Sequence, residues 1–126
     1  MKKYEQKFTT LFLKWVKNEF KKTAAFEIKS TRGKDYIAFN EIKDHQIRAL
    51  QIAKHAILSY KISDFDMIGY KPFDCFCLAK VLSYIVIKYP KFFCLIDIDD
   101  FVKEKEQSKR KSLTSQRAKE ITSIVI

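Results

Sequence analysis

Apolar residues recur every three to four positions at the start of the chain, from Tyr4 to Phe20. This spacing places them on one stripe, so it predicts an amphipathic helix over residues 4–20. Residues 25–30 instead alternate between apolar and polar side chains, which is typical of a half-buried β-strand. A polar turn and a second strand at 36–39 follow, and we expect these two strands to pair as a hairpin.

The middle of the chain predicts a second helix over residues 45–58, with Asp44 as its N-cap. The apolar runs that come next predict strands within 56–62 and at 72–78, 84–89 and 92–98. The last three runs are apolar at most positions, as strands are when helices cover both faces of a sheet.

The composition changes from residue 99 onward. Residues 103–111 are charged and contain few apolar side chains, so we expect a solvated helix or a flexible connection there. A last helix, capped by Ser112 or Thr114, is expected to bury Leu113, Ala118 and Ile121. We therefore expect one domain over residues 1–126, in which 103–126 form a charged C-terminal extension with a terminal helix.

Together these elements predict an α/β (α+β) fold in which helices flank a central mixed β-sheet. A chain of 126 residues with 47% apolar content suits one domain with a packed core. No apolar run approaches the roughly 20 residues of a membrane-spanning helix. The first residues also lack the apolar segment of a signal peptide, so we expect a soluble, cytoplasmic protein.

The cysteines are three in number, lack CxxC spacing and lie in apolar runs, at Cys75, Cys77 and Cys94. We expect reduced thiols in the core, in keeping with an intracellular location. A zinc site formed with His45 or His55 is an alternative, although the spacing matches no usual ligand pattern.

The net charge is +10, from 25 basic and 15 acidic residues. Such a charge attracts polyanions over a Debye length and beyond, so nucleic acid is the leading expected partner. An anionic membrane surface, or a charge that serves solubility alone, is the alternative interpretation.

The predicted strand at 25–30 contains the sequence Glu27-Ile28-Lys29. A period of two puts Glu27 and Lys29 on one face, about 6 to 7 Å apart, and Ile28 on the other. Glu-x-Lys occurs four times in the chain, but only this copy lies in a run that predicts a buried strand. In a metal-dependent phosphodiesterase such a carboxylate binds Mg²⁺, and the ammonium lies against the attacked phosphate or the attacking water.

Three further polar residues lie where they could join this pair. Glu5 is at the edge of the first helix's apolar stripe, where it is either partly buried or a surface residue near the helix N-terminus. Gln46 opens the second helix, either as a capping aid or pointing at the end of the sheet. Asp74 lies inside an apolar run, where a carboxylate costs several kcal/mol to desolvate unless it meets a cation, a metal or several donors.

The order of these features resembles the PD-(D/E)XK nuclease superfamily, and most closely its Holliday-junction resolvases. The resemblance covers residues 5–50, with an acid on a helix, a Glu-x-Lys-Ser/Thr strand, a Tyr-Ile-x-Phe segment and a helix that opens with His-Gln. It implies a restriction-endonuclease-like fold and a site that contains Glu5, Glu27, Lys29 and Gln46.

The chain departs from that family in the position of one aspartate. The family places an Asp before the Glu-x-Lys strand, whereas residues 1–34 contain none and Asp74 comes after it. Asp74 could come from a strand beside the Glu27 strand, which we favour because it retains two carboxylates. Alternatively, residues 73–89 could be the family's hairpin, with Val86 at the Glu position.

The resemblance implies a Mg²⁺-dependent endonuclease of branched DNA, with Mn²⁺ able to replace Mg²⁺ and no small-molecule cofactor. Asp74 and Glu27 would bind the metal, with Glu5 joining through water, while Lys29 and Gln46 would complete the catalytic set. Paired cuts need two active sites, so a homodimer is implied, with residues 124–126 or an exposed strand as its contact. Basic positions would hold the DNA backbone, namely Lys14, Lys21, Lys22, Arg32, Lys34, His45, Lys109, Arg110 and Lys111.

Two other classes of function fit the same sequence. A non-catalytic nucleic-acid-binding module would keep the nuclease-like fold without a working metal site. A basic protein that binds other proteins or a membrane surface would show no salt-dependent affinity for DNA.

Overall fold

The structure is a computed structural model that describes residues 3–63 and 72–126, with side chains from residue 6 onward. The elements in these ranges are, in chain order, helix α1 (Lys3–Trp15), a π-helical turn (Val16–Phe20), β1 (Ala24–Ser30), β2 (Tyr36–Ala38), a 3-10 turn (Phe39–Glu41), α2 (Asp44–His55), β3 (Ile57–Lys61), β4 (Cys75–Ala79), β5 (Leu82–Lys88), β6 (Phe93–Asp97), α3 (Ile98–Gln107), β7 (Ser112–Thr114), α4 (Ser115–Ile121) and β8 (Ile124–Val125).

A mixed four-stranded sheet lies at the centre of the fold, in the order β1-β5-β6-β8. β1 and β5 are parallel, whereas β5 with β6 and β6 with β8 are antiparallel. Parallel neighbours need a crossover connection, and the segment from β2 to β4 supplies it here. The expected mixed sheet flanked by helices is therefore confirmed.

One face of the sheet packs against α2 and α3. Ile85 and Ile87 of β5 are fully buried on this face, and Ala25 of β1 packs against the same core. Side chains alternate along a strand, so Glu27 and Lys29 project to the side that Ala25 occupies. The Glu-x-Lys pair thus faces α2.

Helix α1 covers the opposite face with an aromatic cluster. Phe12 is fully buried, and its ring centroid lies 4.9 Å from that of Phe26 and 5.7 Å from that of Phe93. Rings of this size bury a large apolar area, so the cluster fixes α1 to the sheet. The predicted amphipathic helix is confirmed, except that its last turn, from Val16 to Phe20, is a π-helix.

The predicted hairpin of β1 and β2 is wrong. β2 pairs antiparallel with β7, which places Ile37 opposite Leu113. Both side chains are buried in the core beneath α2, and this burial explains the long-range pairing. Part of the predicted C-terminal extension thus lies in the core, and Thr114 caps α4 as predicted by accepting a hydrogen bond from the Arg117 N–H.

A second small sheet is formed by β3 and β4, which pair as an antiparallel hairpin. The predicted helix over 45–58 ends earlier, because Ile57 begins β3 and pairs with Ala79. The predicted N-cap, Asp44, is wrong by one residue, because Asp44 is already helical and Lys43 is the N-cap. β4 was expected to lie in the central sheet with both of its faces covered. This expectation is wrong, because β4 belongs to this second sheet and most of its residues are exposed. We call β3 and β4 the side hairpin.

The cysteines differ from the expected buried set. Cys94 is buried, and burial raises the pKa of its thiol to about 12. Cys75 and Cys77 are free and exposed on the side hairpin. The expectation of three core thiols is therefore wrong for these two, because their strand lies outside the central sheet.

Candidate active site

Glu27, Lys29 and Gln46 meet where β1 faces the first turn of α2. The Gln46 Nε2 atom donates a hydrogen bond of 3.0 Å to Glu27 Oε2. Lys29 Nζ lies 3.7 Å from the same oxygen, and the side chains of Lys29 and Glu27 are 18% and 27% exposed. The structure thus brings together three of the residues that the sequence singled out.

Gln46 fulfils the predicted role of a capping aid, and its side chain also reaches Glu27, which lies in the middle of β1 and not at the end of the sheet. Its Oε1 atom accepts a hydrogen bond of 2.9 Å from the Lys43 backbone N–H, which precedes α2. Its Nε2 atom is then directed at Glu27. One amide side chain therefore connects the start of α2 to the Glu27 carboxylate through two hydrogen bonds.

A groove of about 490 Å³ opens beside this trio. Glu27 and Gln46 border it on the β1 and α2 side. The side hairpin forms the opposite wall, and His45 also lines the groove. The volume is in the range of roughly 300–1,000 Å³ that is common for ligand sites.

Asp74 occupies neither of the two positions expected for it. The strand beside β1 is β5, and β4 pairs with β3, so Asp74 does not come from a neighbour of the Glu27 strand. Asp74 is exposed and immediately precedes β4, where its carbonyl accepts a hydrogen bond of 2.8 Å from Ile62 N–H. The cost expected for burying this carboxylate therefore does not arise.

The alternative hairpin over 73–89 is also wrong. β4 and β5 follow each other in sequence but belong to different sheets. Val86 is fully buried against the α1 face, where it cannot stand in for a catalytic carboxylate. Lys88 lies two residues after Val86 and so on the same face of β5. Its Nζ atom donates hydrogen bonds to the carbonyls of Tyr89 and Pro90.

Glu5 belongs to α1, which packs on the face of the sheet opposite Glu27. Its side chain lies outside the part of the chain that the structure describes. Its predicted role through a bound water therefore remains a prediction.

The basic positions predicted to bind DNA are exposed but are distributed around the molecule. Lys14 lies on α1, on one side of the sheet, whereas His45 lies on α2 and lines the groove. The others lie in connections and turns, namely Lys21, Lys22, Arg32, Lys34, Lys109, Arg110 and Lys111. Lys21 and Arg32 adopt left-handed backbone angles, with φ of 55° and 57°.

Sequence reasoning missed two features near this region. The first is that Tyr60 and Phe76 of the side hairpin line the groove. The sequence could show that these rings share a face only if the pairing of β3 with β4 was already known. Among the side chains described, no three or more His, Cys, Asp or Glu residues are grouped closely enough to hold a metal ion.

An ion-pair cluster at the end of α2 was also missed. Lys54 Nζ lies 2.7 Å from carboxylate oxygens of both Asp97 and Asp99. His55 Nε2 lies 3.0 Å from Asp99. Lys54 and Asp97 are 43 positions apart in sequence, so no local pattern could have linked them.

We expect this cluster to make stability depend on pH. Burial opposes the charge of Lys54, but hydrogen bonds to Asp97 and Asp99 outweigh it and raise the Lys54 pKa above 10.5. The hydrogen bond from Lys54 lowers the pKa of Asp99 below 3.8. The cluster therefore stabilises the fold fully between pH 3.8 and pH 10.5, the ordinary pKa values of the two groups. The stabilisation is lost as pH falls through the lowered Asp99 pKa, and also as pH rises through the raised Lys54 pKa.

Lys54→Met should accordingly lower the free energy of unfolding at pH 7 by about 1–2 kcal/mol. Urea unfolding at pH 7 and at an acidic pH below 3.8 measures the effect, and the difference from wild type should be smaller at the lower pH. Lys103→Met, at an exposed position of α3, is the matched control. A loss that is equal at both pH values would contradict an electrostatic origin.

Comparison with known proteins assigns no family to the chain. In the part of the chain that the structure describes, no helix has the length and apolar character needed to span a membrane. The chain matches no protein-family model and no curated protein sequence.

Proposed function

We propose that this protein is a Mg²⁺-dependent endonuclease that cleaves DNA phosphodiester bonds, with branched DNA as its substrate. The observation that carries the proposal is the contact of Glu27 with both Lys29 and Gln46, together with the open groove that Glu27 and Gln46 line. The resemblance of the same residues to junction resolvases and the net charge of +10 support it.

The proposal assigns a role to each of these side chains. Gln46 orients the Glu27 carboxylate through its hydrogen bond. Lys29 places an ammonium beside that carboxylate, where it would orient the attacking water and offset the charge that develops on the phosphate. Asp74, at the exposed start of β4, would supply a second carboxylate.

The carboxylates fit a magnesium ion by their chemistry. Mg²⁺ binds proteins through one or two carboxylates, keeps several waters and completes its shell with substrate phosphates. Glu27 is partly exposed beside the groove, and Asp74 is exposed on the side hairpin. When bound, the ion would polarise the phosphate and lower the pKa of a water. Glu27 and Asp74 would hold it.

A restriction-endonuclease-like core is part of the same proposal. A Glu-x-Lys strand in a mixed sheet, with a helix on each face, supports it. The aspartate of that core would come from the side hairpin, later in the sequence than the Glu-x-Lys strand.

The decisive experiment is a cleavage assay with pure protein on four-way junction, flap, nicked and linear DNA. We expect cuts in branched DNA that require Mg²⁺ or Mn²⁺ and stop when a chelator is added. Absence of cleavage on every substrate, at all concentrations of either metal, would overturn the proposal.

A non-catalytic nucleic-acid-binding module is the second candidate function. The exposed lysines and arginines on both sides of the sheet favour it, because they bind phosphates without any metal. It predicts DNA affinity that falls with salt, together with no nicking at any metal concentration.

The proposed resolvase activity requires two active sites and therefore a homodimer. Val125 and Ile126 are exposed where β8 pairs with β6, and this apolar end of the sheet is the proposed contact. Sedimentation should show a dimer at micromolar concentration. A monomer at high micromolar concentration would argue against paired cutting while leaving a simple nicking nuclease.

A further inference from the structure

The solvent end of the groove carries a pair of exposed aromatic rings. Tyr60 of β3 and Phe76 of β4 are directly paired across the side hairpin. Their ring centroids lie 5.3 Å apart with an angle of 31° between the planes. The residues are 43% and 41% exposed, so much of each ring faces solvent. Exposed aromatic surface of this kind, beside a cavity, is typical of a binding site.

The alternation of the side hairpin explains why these rings face the groove. Leu58 and Leu78, two residues closer to α2 on the same face, are half-buried and form the inner part of the wall. Tyr60 and Phe76 continue that face outward, beyond the cover that α2 provides. Two of the side chains that helix α2 contributes to the same lining, Ala49 and Ala53, are small. Space for a flat group is therefore left beside the rings.

We infer that Tyr60 and Phe76 form a stacking platform for an unpaired nucleobase of the substrate strand. The inference rests on the proposed function and deepens it, since it names the part of a nucleic acid that enters the groove. Bases stack on exposed aromatic side chains with little regard to sequence, because every base has a π-face. Paired bases inside a duplex are not accessible to such a platform.

Charge and position favour a nucleic acid over an apolar ligand. The rings share one groove with Glu27 and Gln46, so a base held by the rings brings its own backbone toward the proposed catalytic side chains. The whole chain carries a net charge of +10, which attracts a polyanion. A strand with an unpaired base therefore fits this groove better than an intact duplex does.

The test measures binding without cleavage, in EDTA, by fluorescence anisotropy. The probes are a single strand, a four-way junction with one unpaired 2-aminopurine at the branch, and a blunt duplex of the same sequence. Wild-type protein should quench the 2-aminopurine and prefer the first two probes. The double variant Tyr60→Leu, Phe76→Leu should lose about tenfold or more in affinity for them and should no longer quench, with duplex binding changed less than about twofold.

Two further variants guard against a folding defect. Tyr60→Phe keeps the ring and should retain both affinity and quenching. Phe73→Leu removes another aromatic residue next to the side hairpin, 53% exposed and outside the lining of the groove, and should leave binding unchanged. Thermal unfolding midpoints close to that of wild type show that each variant is folded.

The results separate this inference from the proposed nuclease activity. Quenching that depends on the rings, without cleavage in Mg²⁺, would remove the nuclease proposal and retain the platform. Cleavage with no quenching by wild-type protein would overturn the platform and retain the nuclease. Equal loss of duplex and single-strand affinity in the double variant would also overturn it, since that would show a general loss of binding.

Discussion

Glu27→Gln and Lys29→Met should each reduce Mg²⁺-dependent DNA cleavage at least about a hundredfold. The first removes the charge of the carboxylate that Gln46 orients, and the second removes the ammonium 3.7 Å from it. Both substitutions nearly preserve side-chain size, so packing against α2 should persist. Single-turnover rates on junction DNA measure the loss, and metal-free affinity for DNA should change little.

Matched controls come from exposed positions elsewhere. Glu19 belongs to another Glu-x-Lys sequence and is exposed, as is Lys103 on α3. Glu19→Gln and Lys103→Met should leave the cleavage rate within about twofold of wild type. If Glu27→Gln and Lys29→Met cut as fast as these controls while remaining folded, the catalytic assignment is wrong.

Phe12→Ala should have the largest effect on stability, with a loss of about 3–5 kcal/mol in the free energy of unfolding. Phe12 is fully buried between α1 and the sheet, in ring contact with Phe26, Phe93 and Trp15. Truncation removes apolar burial and leaves a cavity that rigid neighbours fill only in part. Urea unfolding, with the midpoint and slope fitted together, measures the change.

Leu11→Ala provides the comparison on the same helix. Leu11 is 58% exposed, so its truncation should change the free energy of unfolding by less than about 0.5 kcal/mol. Similar losses for the two variants would show that α1 contributes through helix formation alone, and that the aromatic cluster does not fix it to the sheet.

The local part of the site was predictable because side-chain alternation depends only on neighbouring residues. Glu27 and Lys29 share a face because of the period of two, and Ala25 then shows which face it is. The contact of Gln46 with Glu27 was suggested by position at a helix start and by the resemblance, and its hydrogen bond is now described.

Strand pairing was the part that the sequence could not supply. Apolar runs at β2 and β4 predicted strands correctly, but their partners, β7 and β3, depend on which long-range contacts bury the most apolar surface. Ile37 gains its burial from Leu113, far along the chain. The position of Asp74 and the aromatic wall both follow from such pairings, so the sequence alone placed neither.

The parallel pairing of β1 with β5 also bears on how the protein matures. Residues 31–81 separate the two strands, and contacts across such long loops form slowly because chain entropy must be lost first. During synthesis, Glu27 and Lys29 leave the ribosome well before the strand that aligns them. On the proposed function, a nascent chain should remain inert toward nucleic acid until β5 has emerged and docked.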